Sequence, residues 1–158
     1  MFDIYKYLGK WYELGSWFQQ NDQYNTTAEY YLDGDNLRVI NTTINNGKPI
    51  SSEGFATQLY NNHFRVNFLT TEIDKLLNTI NEDDKIKDEN YANYVIDHIW
   101  VNYDGEYIFA IVTDQDHQSL YILSRYKHPS LYAYNEVIDY VIEHYDKNKL
   151  VATPHYSN

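Results

Sequence analysis

Gly9-Lys10-Trp11-Tyr12-Glu13 opens the first strand-like stretch of this chain, and Tyr121-Ile122-Leu123-Ser124-Arg125 closes the last one before a helix. A glycine lets the backbone enter a strand with no side chain in the way, and the tryptophan then supplies a large flat face. An arginine at the far end of the sheet can lay its guanidinium on that face, an interaction of about 0.5–2 kcal/mol depending on desolvation. Such a pair plugs one end of a closed sheet and leaves the other end free.

Working outward from Trp11, the chain reads as short strands with turn punctuation. Residues 26–32 alternate Ala28, Tyr30 and Leu32 against Thr27, Glu29 and Tyr31, the period of a half-buried strand. Asp33-Gly34-Asp35-Asn36 reads as a hairpin turn, after which Leu37, Val39 and Asn41 face one way and Arg38 and Ile40 the other. A second turn, Asn45-Asn46-Gly47-Lys48-Pro49, leads to a strand over residues 51–59. Asn61-Asn62 then turns into residues 63–69, where Phe64, Val66 and Phe68 share a face opposite Arg65 and Asn67.

Residues 70–93 interrupt the pattern. They are acidic and carry Ile73, Leu76, Leu77 and Ile80 at helical spacing, with Thr71 placed as an N-cap. The spacing predicts a helical insertion between the fifth and sixth strands. A connection of this length inside a compact domain is usually functional or mobile.

Strands resume over residues 94–103, turn at Asp104-Gly105 and return over residues 106–113. A loop over residues 114–118 leads to the segment ending at Arg125. Here both faces are apolar: Ile108, Ala110 and Val112 on one, Phe109 and Ile111 on the other. Such strands need something packed outside the sheet. An amphipathic helix beginning near Pro129-Ser130 supplies it, with Leu131, Tyr134, Ile138, Val141, Ile142 and Tyr145 as its stripe. A short strand over residues 150–153 follows. The expected fold is all-β: one domain over residues 1–158, an eight-stranded antiparallel up-and-down barrel with a C-terminal helix outside. Eight strands enclose room for one small molecule.

Composition narrows the function. Hydrophobic residues make up 43% and aromatics 17%, with 18 tyrosines, too apolar for a disordered chain. The net charge of −11 repels phosphate backbones and anionic membrane surfaces, so neither nucleic acid nor a polybasic membrane contact is expected. There is no cysteine, hence no disulfide, thiolate nucleophile or thiolate-bound metal. The opening Met1-Phe2-Asp3-Ile4 has no basic or apolar leader character, so a soluble intracellular protein is expected, or an extracellular one if a leader has been removed.

Read together, these residues resemble a lipocalin. Gly9-Lys10-Trp11 is similar to the family's first motif, Thr113-Asp114 resembles its second, and Arg125 stands at its third. Thr27-Ala28-Glu29-Tyr30, Val39-Ile40-Asn41 and Glu53-Gly54-Phe55-Ala56 resemble the bacterial outer-membrane lipocalins and apolipoprotein D, as does the Arg125 segment followed by Pro129 and a helix. The resemblance spans nearly the whole chain except residues 70–93. It implies a calyx that transports or stores a small hydrophobic ligand, with fatty acids or lysophospholipids as the expected class. That subgroup usually carries a lipidated cysteine, which is lacking here, so a stable membrane anchor is not carried over.

In a sandwich, Ala28, Tyr30, Leu32, Val39, Asn41, Phe64, Val66 and Phe68 would be core; in a barrel they line the calyx and are the ligand-binding candidates. The buried hydroxyl of Tyr30 and amide of Asn41 then need partners. Gly9, Trp11, Thr113, Asp114 and Arg125 are expected to be structural. Asp114 and Asp116 are placed in a loop at the closed end, capping turn amides. The six histidines (His63, His98, His117, His128, His144 and His155) show no metal spacing and are expected on the surface. The sequons at Asn25 and Asn41 read as accidental. No nucleophile, base and orienter assemble from sequence neighbours, and no phosphate-binding glycine loop is present. The chain therefore reads as a non-enzymatic carrier without cofactor. The alternatives are a barrel enzyme modifying a bound lipid, and an interaction module that docks partners through the acidic insertion; a homodimer is open. Residues 70–93 are expected to form a lid or rim at the open end.

Overall fold

The chain enters its first strand through Gly9, whose φ of +97° lies in the region that favours glycine. A Cβ there would make ordinary van der Waals contact with the Arg125 guanidinium at 3.4 Å, so it is the positive φ that calls for glycine. The structure is a computed structural model and describes residues 1–17, 22–68 and 88–157.

The described strands are β1 (Gly9–Ser16), β2 (Gln23–Asp33), β3 (Asn36–Asn45), β4 (Lys48–Tyr60), β5 (His63–Phe68), β6 (Tyr94–Val101), β7 (Tyr107–Thr113), β8 (Tyr121–Ser124) and β9 (Val151–Ala152). Each of the first eight pairs antiparallel with its sequence neighbour, and β1 pairs with both β2 and β8, which closes the barrel. The expected all-β, eight-stranded up-and-down barrel is thus the observed one. Between β3 and β4, Asn46 and Gly47 take φ of 53° and 77°, the double positive φ that a tight primed hairpin turn requires.

Closure along the β1–β2 seam is incomplete. Their ladder runs only from Gly9↔Tyr30 to Tyr12↔Thr27, and a register shift between Glu13 and Gly15 marks a bulge in β1 against β8. Beyond it, Gly15 and Ser16 pair with β9 near the end of the chain.

Two apolar clusters flank the sheet. The inner one contains Tyr7, Trp11, Leu37, Phe64, Ala110 and Val112; the outer contains Leu14, Phe109, Ile111, Leu120, Ile122, Val137 and Val141. Both faces of β7 are therefore buried, as its sequence predicts. The outer cluster is covered by helix α2 (Leu131–His144), named after the short helix α1 (Ile4–Tyr7). The Ser130 hydroxyl caps α2 by accepting from the Ala133 amide at 3.2 Å. Of the predicted stripe, Tyr134, Ile138, Val141 and Tyr145 pack on the outer cluster, where Val137 joins them, while Leu131 and Ile142 are exposed. A polar contact helps to fix this face. Tyr140 and Tyr145 both donate to Oδ2 of Asp97 on β6, at 3.0 and 2.7 Å, and pin that face of the helix to the sheet.

Helix α1, which the sequence pattern did not reveal, lies beneath the barrel with Asp3 accepting from the Tyr5 amide at 2.9 Å. The helix expected from Thr71 lies outside the described residues. Among the described residues, no helix is long and apolar enough to cross a membrane.

Candidate functional site: the barrel cavity

One end of the barrel is shut by residues that lie far apart in sequence. Trp11 is fully buried and donates its indole N–H to the Tyr7 carbonyl at 2.9 Å. The Arg125 guanidinium carbon sits 3.9 Å from the Trp11 ring centre. Its nitrogens donate to the carbonyls of Lys6 (3.0 Å), Leu8 (2.7 Å), Lys10 (2.9 Å) and Tyr107 (3.3 Å). One side chain thus ties α1, β1 and β7 together. Phe2 packs against Tyr7, Phe64 and Tyr107 and seals what remains.

Above this plug the hydroxyls of Tyr7, Tyr30 and Tyr94 converge. Tyr30 and Tyr94 are 2.6 Å apart, and Tyr7 bonds Tyr94 as well. The partner that a buried Tyr30 hydroxyl needs is therefore supplied from two other elements. Burial pushes the Tyr30 phenol up to about 12 and raises those of Tyr7 and Tyr94, so all three stay neutral.

The space over the tyrosines is a cavity of 340 Å³. Its deeper wall includes Ala28, Val39, Val66 and Leu123, and toward the open end stand Val112 and Tyr121 with the polar Gln23, Thr26, Thr43, Ser52 and Asn93. Ile50 and Phe68 form the apolar part of the rim and are both exposed. Asn93 extends the short β5–β6 ladder with its side chain, accepting from the Val66 amide at 2.7 Å and donating to the Val66 carbonyl at 2.9 Å.

Of the eight candidates read from the sequence, Ala28, Tyr30, Val39, Asn41, Val66 and Phe68 line this cavity. Leu32 and Phe64 do not. Leu32 lies past the plug beside the β2–β3 turn and is 46% exposed, and Phe64 is 1% exposed within the packed floor. Gly9, Trp11 and Arg125 meet at the plug. Thr113 and Asp114 do not join them, because they stand at the opposite end of β7 from Tyr107 and Arg125. In an up-and-down barrel alternate connections share an end, so the β7–β8 loop lies with the β3–β4 turn, at the end where β1 reaches Ser16 and β5 reaches Phe68. Asp114 does cap turn amides, accepting from Asp116 N at 2.9 Å and Gln118 N at 3.2 Å, but at the open end. The loop beside Arg125 is instead residues 102–106. Histidines 98, 117, 128 and 144 are exposed as expected, whereas His63 and His155 are half-buried. No group of side chains able to hold a metal ion occurs among the described residues.

Sequence reasoning missed Glu13. It follows Trp11 by two positions, so the strand alternation itself turns it inward, onto the cavity wall. Glu13 is 9% exposed, and Thr153 donates to its Oε2 at 2.6 Å. Burial pushes its carboxyl up to about 7, against the Thr153 hydrogen bond, which lowers it. No lysine, arginine or histidine lines the cavity among the described residues, and Glu13 is the single charged group there.

Comparisons with known proteins agree with this geometry. The family model of the lipocalin-like domain matches residues 2–155. Lobster apocrustacyanin A1 superposes with a TM-score of 0.65 at 15% identity, covering 98% of this chain and 81% of that one. Insecticyanin from the tobacco hornworm Manduca sexta gives 0.56 at 21% identity, covering 99% and 82%. The siderocalin Ex-FABP gives 0.56 at 14% identity, covering 96% of each chain. At these identities the likeness is one of fold. A search of curated protein sequences finds no match.

Proposed function

Because this chain belongs to the lipocalin family, we propose that its barrel is a calyx that binds one small hydrophobic molecule and carries or stores it without chemical change. The observation that carries this reading is the 340 Å³ cavity, apolar at depth and polar at its rim, above a plugged end. Ligand pockets span about 300–1,000 Å³, which suits a single-chain lipid here better than a bulky polycycle. The structural neighbour described as a siderocalin with dual ligand specificities supports a ligand-holding use of the fold. Short matches at Thr27-Ala28-Glu29-Tyr30 and Glu53-Gly54-Phe55-Ala56 favour the bacterial outer-membrane and apolipoprotein D branch of the family. Ala28, Tyr30, Val39, Asn41, Val66 and Phe68 are the proposed ligand contacts.

Titration with the neutral fluorophore N-phenylnaphthylamine tests the proposal. Saturable binding of one probe per chain is expected, and Ala28→Phe, which fills the deep wall, should abolish it while the protein stays folded. Absence of probe binding, together with no co-purifying small molecule in native mass spectrometry, would leave the calyx reading without support.

A further inference from the structure

We propose that Glu13 selects the ligand: the calyx takes an amphiphile that presents a primary amine or hydroxyl to this carboxylate, and it discriminates against fatty-acid carboxylates. The inference rests on the calyx reading and deepens it.

Three observations carry it. The first is placement. Glu13 lies on the cavity wall in the same inward row of β1 as Trp11, and the bulge that follows lets the chain end pass beside it. A ligand filling the cavity strips water from this carboxylate, and a polar group that loses water needs a replacement donor.

The second is the shortage of donors already committed to it. Thr153 serves Oε2 from the side of the chain end. The other titratable groups facing Glu13 from the packed elements are Tyr30 on β2, Tyr121 on β8 and His155 beyond β9. Burial keeps both phenols protonated and lowers the His155 imidazole, so none of these groups brings a positive charge to Glu13. A ligand amine supplies the missing charge, and a ligand hydroxyl supplies a donor.

The third is the sign of the whole lining. With Glu13 its single charged residue and no cation among the described residues, the wall offers a carboxylate ligand no counter-charge, and its one charge is of the same sign. A carboxylate end would have to stay at the mouth of a protein carrying a net charge of −11, while its chain still covered Glu13.

Calorimetric titration of the full chain with decylamine, decanol and decanoate at about pH 8, where Glu13 is ionised, decides the matter. Decylamine and decanol are expected to bind at least about tenfold more tightly than decanoate. Glu13→Gln is expected to weaken decylamine about tenfold and to strengthen decanoate, bringing the two together. The ranking should survive about 1 M salt, which screens the surface charge but not a buried one. Decanoate binding as tightly as decylamine, a ranking unchanged in Glu13→Gln, or a ranking erased by salt would each overturn the role of Glu13. Should the variant fail to fold, the wild-type ranking and its salt response decide alone. If the amphiphiles and N-phenylnaphthylamine all fail to bind, the calyx reading falls too; if the fluorophore binds but the ranking is otherwise, only the selection by Glu13 falls.

Discussion

Thr153 donates its hydroxyl to Glu13 across 2.6 Å, joining residues 140 positions apart at the seam where β1 and β2 part company. The bond is one stitch of several. The Thr153 amide donates to the Leu14 carbonyl and the Asn25 amide to the Pro154 carbonyl, both at 2.9 Å. Tyr156 N then donates to the Asn25 side chain at 2.7 Å, and the His155 and Tyr156 rings pack edge-on against Tyr12 and Tyr24. The chain end therefore acts as a strap that pairs with β1 on one side and hooks β2 on the other.

Removal of the strap should open the seam. Truncation after Leu150 deletes all four of these hydrogen bonds together with the β1–β9 pairing, and at about 0.5–1.5 kcal/mol for each bond a loss of at least about 3 kcal/mol in urea unfolding is expected. Amide exchange should quicken first at Gly15, Ser16 and Asn25 and leave the Trp11 end protected. Uniform exchange across the barrel would show that the strap does not close the seam. The milder Thr153→Val leaves a Glu13 oxygen without its donor and should cost about 1–3 kcal/mol.

The plug makes a separate prediction. Arg125 satisfies four backbone carbonyls and covers Trp11, so Arg125→Ala should destabilise the barrel by about 2–4 kcal/mol. Arg125→Lys should recover little of this, since one ammonium cannot reproduce the spread of a guanidinium. Affinity for N-phenylnaphthylamine should stay within about twofold of wild type under native conditions, because the plug lies below the cavity. A large change in affinity at unchanged stability would place Arg125 in ligand contact instead.

The tyrosine floor predicts an alkaline signature. Tyr94 is the hub, bonded to both Tyr7 and Tyr30, so Tyr94→Phe should cost about 1–3 kcal/mol. Phenols buried and hydrogen-bonded in this way are neutral well past the ordinary tyrosine range, and Tyr30 is pushed up to about 12. In a spectrophotometric titration these three should ionise only as the protein unfolds. Their smooth titration alongside the exposed tyrosines of a folded protein would contradict the floor as described.

Much of this fold is legible in the sequence, for reasons that also explain the failures. Trp11, Arg125 and the two-sided β7 declare themselves because large or charged side chains in an apolar strand have few places to go. The edges of the α2 stripe are less legible, because hydropathy favours Leu131 and Ile142 over Val137, whereas the Tyr140 and Tyr145 hydroxyls reaching Asp97 help to fix the face that meets the sheet. Motif likeness alone assigns Asp114 to the closed end, although counting hairpins places it at the open one. Glu13 is hard to read because a carboxylate in a strand ordinarily faces water. Its position two residues from Trp11 was the available signal, and the strap that supports it comes from too far along the chain to be foreseen.

Glu13 also makes the stability of the barrel depend on pH in an unusual direction. Its carboxyl is raised from 4.5 to about 7 in the folded state, chiefly by burial. Below about 4.5 both folded and unfolded chains hold the proton, and its contribution to stability is fully present. Between about 4.5 and 7 the unfolded chain releases the proton while the folded one keeps it, so stability falls as pH rises and the contribution is lost above about 7. A shift of this size corresponds to about 3 kcal/mol across the window. His155 works the other way: its imidazole is lowered, chiefly by burial, so its contribution is lost as pH falls through the histidine range. The wild-type curve alone therefore mixes the two. Subtracting the curve of Glu13→Gln removes the His155 share, and the difference in unfolding free energy should change by about 3 kcal/mol between pH ~4.5 and ~7.5, with the glutamine variant gaining relative to wild type as pH rises. A flat difference curve would mean that Glu13 is hydrated in the folded protein and ionises like a surface carboxylate. Occupancy supplies the cross-check: with decylamine bound, an ion pair should draw the Glu13 carboxyl back down and shift the midpoint of that difference curve to lower pH.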